Sequence, residues 1–216
     1  RGLGDVYKRQ LLMRRFVEAG FRVLVIFRWD GDVVRQYIST MRGTDGPLSS
    51  NNVRVPNSIT YHVSDIFLDE LEKVMATTQD PAPVPIVDIL TPCVELVATS
   101  QSKQVYDRMM EGTILPFLED CKRAQSEADV ERKQKRRKVE HEDEDEDEDE
   151  DALRFPTVLA HMHCASTDDE DEEDMIELVN HELRRKIFII ASGNDTYAPS
   201  RRKLYELWKS EQEDEL

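Results

Sequence analysis

The charged stretch from Arg132 to Asp151 constrains the fold of this chain more than any other feature of the sequence. It opens with RKQKRRK, up to Lys138, and continues into an alternating Glu/Asp run. So few apolar side chains cannot offset the backbone entropy that is lost on ordering, so we expect this stretch to be disordered. A folded body must therefore be built from the sequence on either side of it.

The acidic residues of the chain are concentrated in tracts. Among 216 residues there are 29 Lys or Arg and 45 Asp or Glu, which gives a net charge of −16. Glu140 and the tracts 142–151 and 168–174 hold 18 of the acidic residues, which leaves 27 acidic against 29 basic elsewhere. The chain is thus a nearly neutral body that carries acidic tracts. Such tracts are suited to contacting basic partners, for example histones or ribosomal proteins, or to acting as solubilising spacers.

Several protein classes are disfavoured by the sequence. No run of about 18 apolar residues occurs, so no transmembrane helix and no membrane partner are expected. Three cysteines, Cys93, Cys121 and Cys164, are present without CxxC spacing. This pattern argues against a disulfide-stapled secreted module and indicates a reducing compartment.

Apolar residues recur every three or four positions through most of the chain, and no strand-type alternation of useful length is present. The pattern predicts an all-α fold, an irregular stack of antiparallel helix pairs resembling a HEAT-type superhelix. Helices are predicted over 11–27, 30–41, 59–76, 86–98, 103–110, 117–128, 175–190 and 201–209. The predicted structural core includes Phe16, Val63, Ile66, Phe67, Leu71 and Trp208.

Local signals place the ends of these helices. Asp30 or Asp32 is predicted to cap the second helix, Asn57 or Ser58 the third, and Ser102 the helix that starts at Lys103. Pro92 either starts a new helix or kinks the existing one, and Pro116 is predicted to divide two helices.

The chain is expected to divide into segments of different character. A helical domain spans 11–130, a disordered basic and then acidic linker spans 131–152, and a short apolar island with an acidic run spans 153–174. The C-terminal helices, 175–209, are expected to pack on the helical domain, and an acidic tail follows over 210–216.

The first ten residues, RGLGDVYKRQ, are expected to be foreign to the protein. The part from Asp5 to Gln10 is what the codons GAT GTG TAT AAG AGA CAG encode, and these bases resemble the end of a transposase-type sequencing adapter. We therefore predict that 1–10 is a library artefact and that the true chain starts upstream. The alternative is a genuine basic N-terminal loop.

Residues that could carry chemistry are few. His161, His163 and Cys164 have the side chains of metal ligands but lack further partners at finger-like spacing, so no metal site is predicted. His62 lies beside an apolar helix face, where a packing role is favoured over that of a general base. No catalytic constellation, phosphate-binding loop or cofactor site is predicted.

The basic cluster in the linker has a more specific interpretation. A short run of Lys and Arg in a disordered segment is typical of a nuclear-import signal or a nucleic-acid patch. The alternative is a solvated stretch that neutralises the adjacent acids. The cluster is formed by Arg132, Lys133, Lys135, Arg136, Arg137 and Lys138.

Three stretches have residue patterns that are more specific than an amphipathic helix needs. They are LLMRRFVEAGFRVL (Leu11–Leu24), RVPNSITYHVSDIFLDELEKVM (Arg54–Met75) and RRKLYELWK (Arg201–Lys209). The second is the most specific, because a Pro-x-Ser loop feeds a helix with the pattern YH…D…LDELEK. Together the three resemble the nucleolar ribosomal RNA-processing protein 1 family, over about 11–128 and 175–209.

The resemblance implies a helical nuclear and nucleolar protein that associates with pre-ribosomal particles. The resemblance implies that its partners are precursor ribosomal RNA and ribosome assembly proteins. It also implies that the protein acts as a scaffold in ribosomal RNA processing and needs no cofactor or small-molecule substrate. The N-terminal helical half usual in the family does not precede residue 11. We therefore expect a fragment with some apolar helix faces exposed. An acidic nuclear chaperone for histones or other basic proteins is the alternative function, and an RNA-modifying enzyme is a third, less favoured one.

Overall fold

A computed structural model of the chain describes residues 3–137, 152–164 and 175–213, and most of these residues are helical. The helical elements are α1 (Leu3–Ile26), α2 (Gly31–Arg42), α3 (Asn57–Ala76), α4 (Ile86–Thr99), α5 (Lys103–Met109), a π-helical turn (Met110–Ile114), α6 (Leu115–Arg137), α7 (Pro156–His161), α8 (Met175–Ser192) and α9 (Ala198–Glu213). Within these ranges the sole β-type pairing is an isolated parallel bridge between Val84 and Met162. The predicted all-α fold is confirmed. None of the described helices is long and apolar enough to cross a membrane.

The helices form two adjoining rows. In one row α1 packs along α3, and α3 packs on α5 and on the π-helical turn. In the other row α2 contacts α4, α4 packs on α8, and α8 pairs with α9. Contacts of α4 with α5 and of α6 with α8 join the rows into one helical-repeat stack.

The core lies between the rows and is dominated by α3 and α4. Phe67 of α3 is fully buried and meets Phe21 of α1 edge-on, with ring centroids 5.1 Å apart. Val63, Ile66 and Leu71 lie on the same buried face of α3. These aromatic and branched side chains fix the contact between α1 and α3.

Phe16 was predicted in the core, and this prediction was wrong. Its side chain is 44% exposed, whereas Val17, Phe21 and Leu24 of the same helix are fully buried. The helix α1 carries apolar residues on two faces, and the buried face is the one centred on Phe21. Periodicity detects an apolar face but does not say which of two faces meets the core.

Helix ends follow the predicted signals in part. Asp30 caps α2 by accepting hydrogen bonds from the backbone N–H groups of Asp32 and Val33, and Ser102 caps α5 through Val105 N–H. By contrast, α3 begins at Asn57 after an extended Pro56, with no side-chain cap.

Pro92 and Pro116, for which helix breaks were considered, both lie within helical structure. Pro92 lies inside a single helix, α4. Pro116 does not divide two helices as predicted, because the chain continues from α5 through the π-helical turn into α6. Leu115 N–H donates to Met110 O, five residues back, and this wider register accommodates the following proline, which has no N–H to donate.

The helix α6 reaches Arg137 and so extends past residue 131, where the linker was expected to begin; the linker itself stays a prediction. Lys, Arg, Gln and Glu have high helix propensity, and a helix already packed at its base extends through them at little cost. The predictions for 138–151, 165–174 and 214–216 fall outside the described residues.

Candidate functional site

The family-like motif on α3 presents three carboxylates that hold other parts of the chain. Asp69, Glu70 and Glu72 lie within one turn of this helix, and we call them the acidic cluster. Asp69 and Glu72 are three positions apart and lie on the same side of the helix, whereas Glu70 points about 100° away from Asp69. The cluster therefore reaches two neighbours, which are α1 and the segment 152–164 that contains α7.

Glu70 binds α3 to α1. Glu70 is 2% exposed, and its carboxylate lies 3.1 Å from Nε of Arg14 and 3.4 Å from Nζ of Lys73. Lys73 also reaches Glu18 of α1, which accepts a hydrogen bond from Arg22 as well. The hydrogen bond from Arg22, supported by that from Lys73, lowers the pKa of Glu18 below its usual value. The network therefore joins two helices with every charge partnered.

Asp69 and Glu72 hold the segment 152–164. Asp69 accepts two hydrogen bonds from the guanidinium of Arg154, at 2.9 and 3.1 Å. Glu72 accepts the backbone N–H groups of Thr157 and Val158 at 2.9 and 2.8 Å, at the first turn of α7. A carboxylate in this position satisfies N–H groups that have no partner within the helix and favours the positive end of its dipole.

Further contacts seat the same segment on the body. Asp120 of α6, which is 4% exposed, accepts the Phe155 N–H at 2.7 Å. Val84 N–H donates to His161 O at 2.7 Å, and His163 N–H donates to Val84 O at 2.8 Å. The predicted apolar island is therefore part of the main core, with Phe155 fully buried.

The histidines singled out in the sequence have intrachain contacts. His62 Nε2 lies 3.0 Å from Gln10 O, and His161 Nδ1 lies 2.9 Å from Thr157 O. Cys164 is buried. Across the described ranges, no group of three or more His, Cys, Asp or Glu side chains converges as metal ligands would.

An apolar groove runs between α1 and the start of α3. It has a volume of about 620 Å³ and is lined by Leu12, Met13, Phe16, Pro56 and Ile59, with Arg9 and His62 at its rim. Leu12 is 65% exposed. The exposed side chain of Phe16 is thus part of a continuous apolar surface on α1.

The predicted basic cluster lies mostly at the end of α6. The helix backbone includes Arg132, Lys133, Lys135, Arg136 and Arg137. Lys138 and the acidic tracts lie outside the described residues. The nuclear-import and nucleic-acid interpretations of this cluster stay predictions.

Sequence reasoning missed an aromatic surface on α8 and α9. Phe188 is 40% exposed, and its ring centroid lies 4.9 Å from that of Trp208 and 5.7 Å from that of Tyr205. Trp208, predicted in the core, is half-buried at this edge instead, because Leu204 takes the inward position of α9. The available signal was that Phe188 lies off the apolar stripe of α8, whose buried members include Val179, Leu183 and Ile187.

The comparisons with known proteins give one family. The profile described as nucleolar protein, Nop52, matches residues 6–208, which is most of the chain and includes the acidic cluster and the aromatic surface. The match begins inside the segment predicted to be an artefact, and the structure begins α1 at Leu3; the adapter interpretation stays a prediction. The search of curated proteins returned no match. Because the profile covers nearly the whole chain, this protein belongs to the Nop52 family of nucleolar proteins, which take part in ribosome biogenesis.

Proposed function

We propose that this protein is a non-enzymatic scaffold of pre-ribosomal particles, required for ribosomal RNA processing. The observation that supports a scaffold is the use of the acidic cluster. Glu70 and Glu72 of the motif are bound to Arg14, Lys73 and the first turn of α7. Carboxylates used in this way stabilise the packing of the helices, whereas a general acid or base must reach a substrate proton.

The particle components proposed as partners are precursor ribosomal RNA and ribosome assembly proteins. Basic proteins are proposed to contact the acidic tracts through charge complementarity. We further propose that the basic cluster directs nuclear import. Replacing Lys135, Arg136, Arg137 and Lys138 by Ala in a fluorescently tagged chain is expected to reduce nuclear accumulation, and unchanged accumulation would contradict this role.

Complementation of depleted cells tests the scaffold proposal. The full chain with Phe67→Ala is expected to lose particle association, because the buried ring supports the α1–α3 contact. The chain with His62→Ala is expected to restore precursor RNA processing, because the sequence context of this histidine favours a packing role over that of a general base. Protein abundance, sedimentation with particles and precursor RNA are measured for each.

Two results would overturn the proposal. A stable, particle-bound His62→Ala chain that blocks a cleavage step would favour an enzyme. Purification of the chain with core histones, and without precursor RNA or ribosomal proteins, would favour the histone chaperone.

A further inference from the structure

We propose that the outer face of α1 docks an amphipathic helix of a ribosome assembly protein, one whose apolar stripe is flanked by acidic side chains. The inference rests on the proposed function and deepens it, because it names the chemistry by which the chain would hold one class of particle component. It assigns that contact to a face of α1 that no described element covers.

The helix α1 has an exposed apolar stripe in addition to its buried face. The core takes Val17, Phe21 and Leu24, which are fully buried. On the outer side, exposed apolar residues recur at alternating spacings of four and three positions over about four turns. We call them the outer stripe: Leu12 (65% exposed), Phe16 (44%), Ala19, Val23 (45%) and Ile26 (74%). All of them follow Gln10, so the stripe does not depend on the origin of 1–10.

The spacing of the outer stripe indicates what kind of element covers it. Apolar residues that repeat every 3.5 positions face a second helix that lies nearly along the first, with interlocking side chains. A strand, whose side chains repeat every two residues, would match this row poorly. At one end the stripe reaches the groove beside the start of α3, where Leu12 and Phe16 lie opposite Pro56 and Ile59. A large apolar side chain of the bound helix would fit in that groove.

Positive side chains border the outer stripe on the side toward α3. Arg15 and Arg22 each lie three residues after one stripe residue and four before the next, so both are direct neighbours of the stripe. Arg15 is exposed and forms no ion pair with any residue that the structure describes, and Arg22 is 51% exposed. Arg14 and Lys73 follow toward α3, at 49% and 52% exposed.

The carboxylates on this side of α1 do not cancel that charge. Glu18 lies 2.9 Å from Nη2 of Arg22 and 3.4 Å from Nζ of Lys73, and Glu70 is held by Arg14 and Lys73. Four cations against two carboxylates leave an excess of two positive charges. A helix with Asp or Glu along its flank is therefore favoured at this edge, and one with Lys or Arg there is disfavoured.

Two other occupants fit less well. A second copy of the chain would place the same positive side chains on both sides of the contact, with no acidic flank to meet them. The acidic tracts of the chain, 142–151 and 168–174, have the required charge but contain only Asp and Glu. They therefore have no apolar side chains with which to cover the stripe.

The first test is binding of two designed helical peptides to the full chain. Each has about three heptads with Leu at positions a and d, and carries either Glu or Lys at the flanking positions e and g. The variants are Ile26→Ser, which shortens the stripe, and Arg15→Glu, which reverses one bordering charge. Ile189→Ser is the matched control, because Ile189 is also exposed, at 48%, and lies on α8. Dissociation constants are measured by fluorescence anisotropy at low and high salt.

We expect the unaltered chain to bind the Glu peptide about tenfold more tightly than the Lys peptide at low salt, and by a smaller ratio at high salt because exposed charges are screened. Ile26→Ser should weaken binding of the Glu peptide by about ten- to hundredfold, the factor expected for one large aliphatic side chain that becomes buried. Arg15→Glu should weaken the Glu peptide about threefold and strengthen the Lys peptide by a similar factor. Ile189→Ser should match the unaltered chain.

Three results of these measurements would overturn the inference. The first is equal binding of the two peptides by the unaltered chain, and the second is unaltered binding of the Glu peptide by Ile26→Ser. The third is a dimer, detected by light scattering, that Ile26→Ser dissociates, because it would place a second copy of the chain on the stripe.

The second test identifies what lies on the stripe in the particle. A photoreactive phenylalanine analogue replaces Ala19, which is exposed at the centre of the stripe, and the full chain is cross-linked within pre-ribosomal particles. Mass spectrometry should identify a peptide of an assembly protein with apolar residues at spacings of three and four and with Asp or Glu beside them. Cross-links only to RNA, or only within the same polypeptide, would overturn the inference.

Particle sedimentation separates this inference from the proposed function. If the unaltered chain sediments with pre-ribosomal particles but fails the peptide and cross-linking tests, the docking face is refuted and the scaffold proposal stands. If the unaltered chain does not sediment with particles, the proposed function itself fails.

Discussion

Replacing Glu72 by Ala is expected to loosen the segment 152–164 from α3. The substitution removes both acceptors of the Thr157 and Val158 N–H groups, which now lie at 2.9 and 2.8 Å. Loss of a helix N-cap costs about 0.5–2 kcal/mol, and a hydrogen bond to a charged group contributes about 1.5–3 kcal/mol. Val158 is fully buried, whereas Thr157 and Glu72 are half-buried, so water can replace the carboxylate only in part. We therefore take a value near the overlap of the two ranges, about 2 kcal/mol.

This value predicts two measurable changes. The melting temperature should fall by about 4–8 °C, because a domain of this size loses about 2–4 °C for each kcal/mol. If the segment opens on its own, amide hydrogen exchange in residues 155–163 should become about 30-fold faster, since about 1.4 kcal/mol corresponds to a factor of ten. Mass spectrometry of peptides from this range, compared with peptides from α4, measures the second change.

Two further variants calibrate the result. Glu119→Ala removes an exposed glutamate of α6, and its effect should stay within about 0.5 kcal/mol. Glu72→Gln keeps one carbonyl acceptor and should cost roughly half as much as Glu72→Ala. If Glu72→Ala behaves like Glu119→Ala in both assays, the carboxylate does not hold the segment and the reasoning is refuted.

Three other predictions concern the core. Phe67→Ala should lower the free energy of unfolding by about 3–5 kcal/mol in denaturant titrations, with Phe67→Leu as the milder control; a loss below about 1 kcal/mol would contradict the burial argument. Gly112→Ala would place Cβ 2.7 Å from Ser64 O, so thermal unfolding should show a loss of about 1–3 kcal/mol, and an unchanged melting temperature would mean that the helices separate freely. Burial raises the pKa of Cys93 from 9.0 to about 12, so its contribution to stability is complete below pH 9 and falls as the pH rises toward 12; Cys93→Ala should flatten the stability curve in that interval.

Much of the fold was predictable because it depends on local patterns. The spacing of Val63, Phe67 and Leu71 indicates a helix with one apolar face, and the structure buries that face. Asp30 and Ser102 cap their helices through atoms within a few residues of them, so the sequence alone locates those ends. The all-α class follows from such signals repeated along the chain.

The remaining features depend on contacts between distant residues. Glu72 and Thr157 are 85 positions apart, and nothing in either neighbourhood indicates that they meet. Phe16 and Trp208 lie on helices whose neighbours decide which apolar face is covered. Pro116 signals a helix end locally, but the π-helical turn before it absorbs the missing N–H.

The candidate sites also differ in whether their signal is local in the sequence or depends on contacts between distant residues. The basic cluster is visible in the sequence because its signal is composition. The aromatic surface is not, because Phe188 becomes a neighbour of Trp208 only when α8 pairs with α9. The motif on α3 was recognisable as distinctive, but its role in holding α1 and the segment 152–164 required the three-dimensional contacts.

Because the segment 152–164 is bound to the helical body, the length of the charged stretch before it is expected to have little effect on the stability of the fold. Arg123 of α6 donates to Ala152 O at 3.1 Å, so the chain is fastened to the body immediately after residue 151, and α6 ends at Arg137 on the other side. The residues between these two points are predicted to be disordered, and for a flexible loop with fixed ends a doubling of length costs only about 0.6 kcal/mol in closure entropy. Mutation can therefore lengthen or shorten the acidic run, and so change the charge of the protein, with little change in the free energy of unfolding of the helical body.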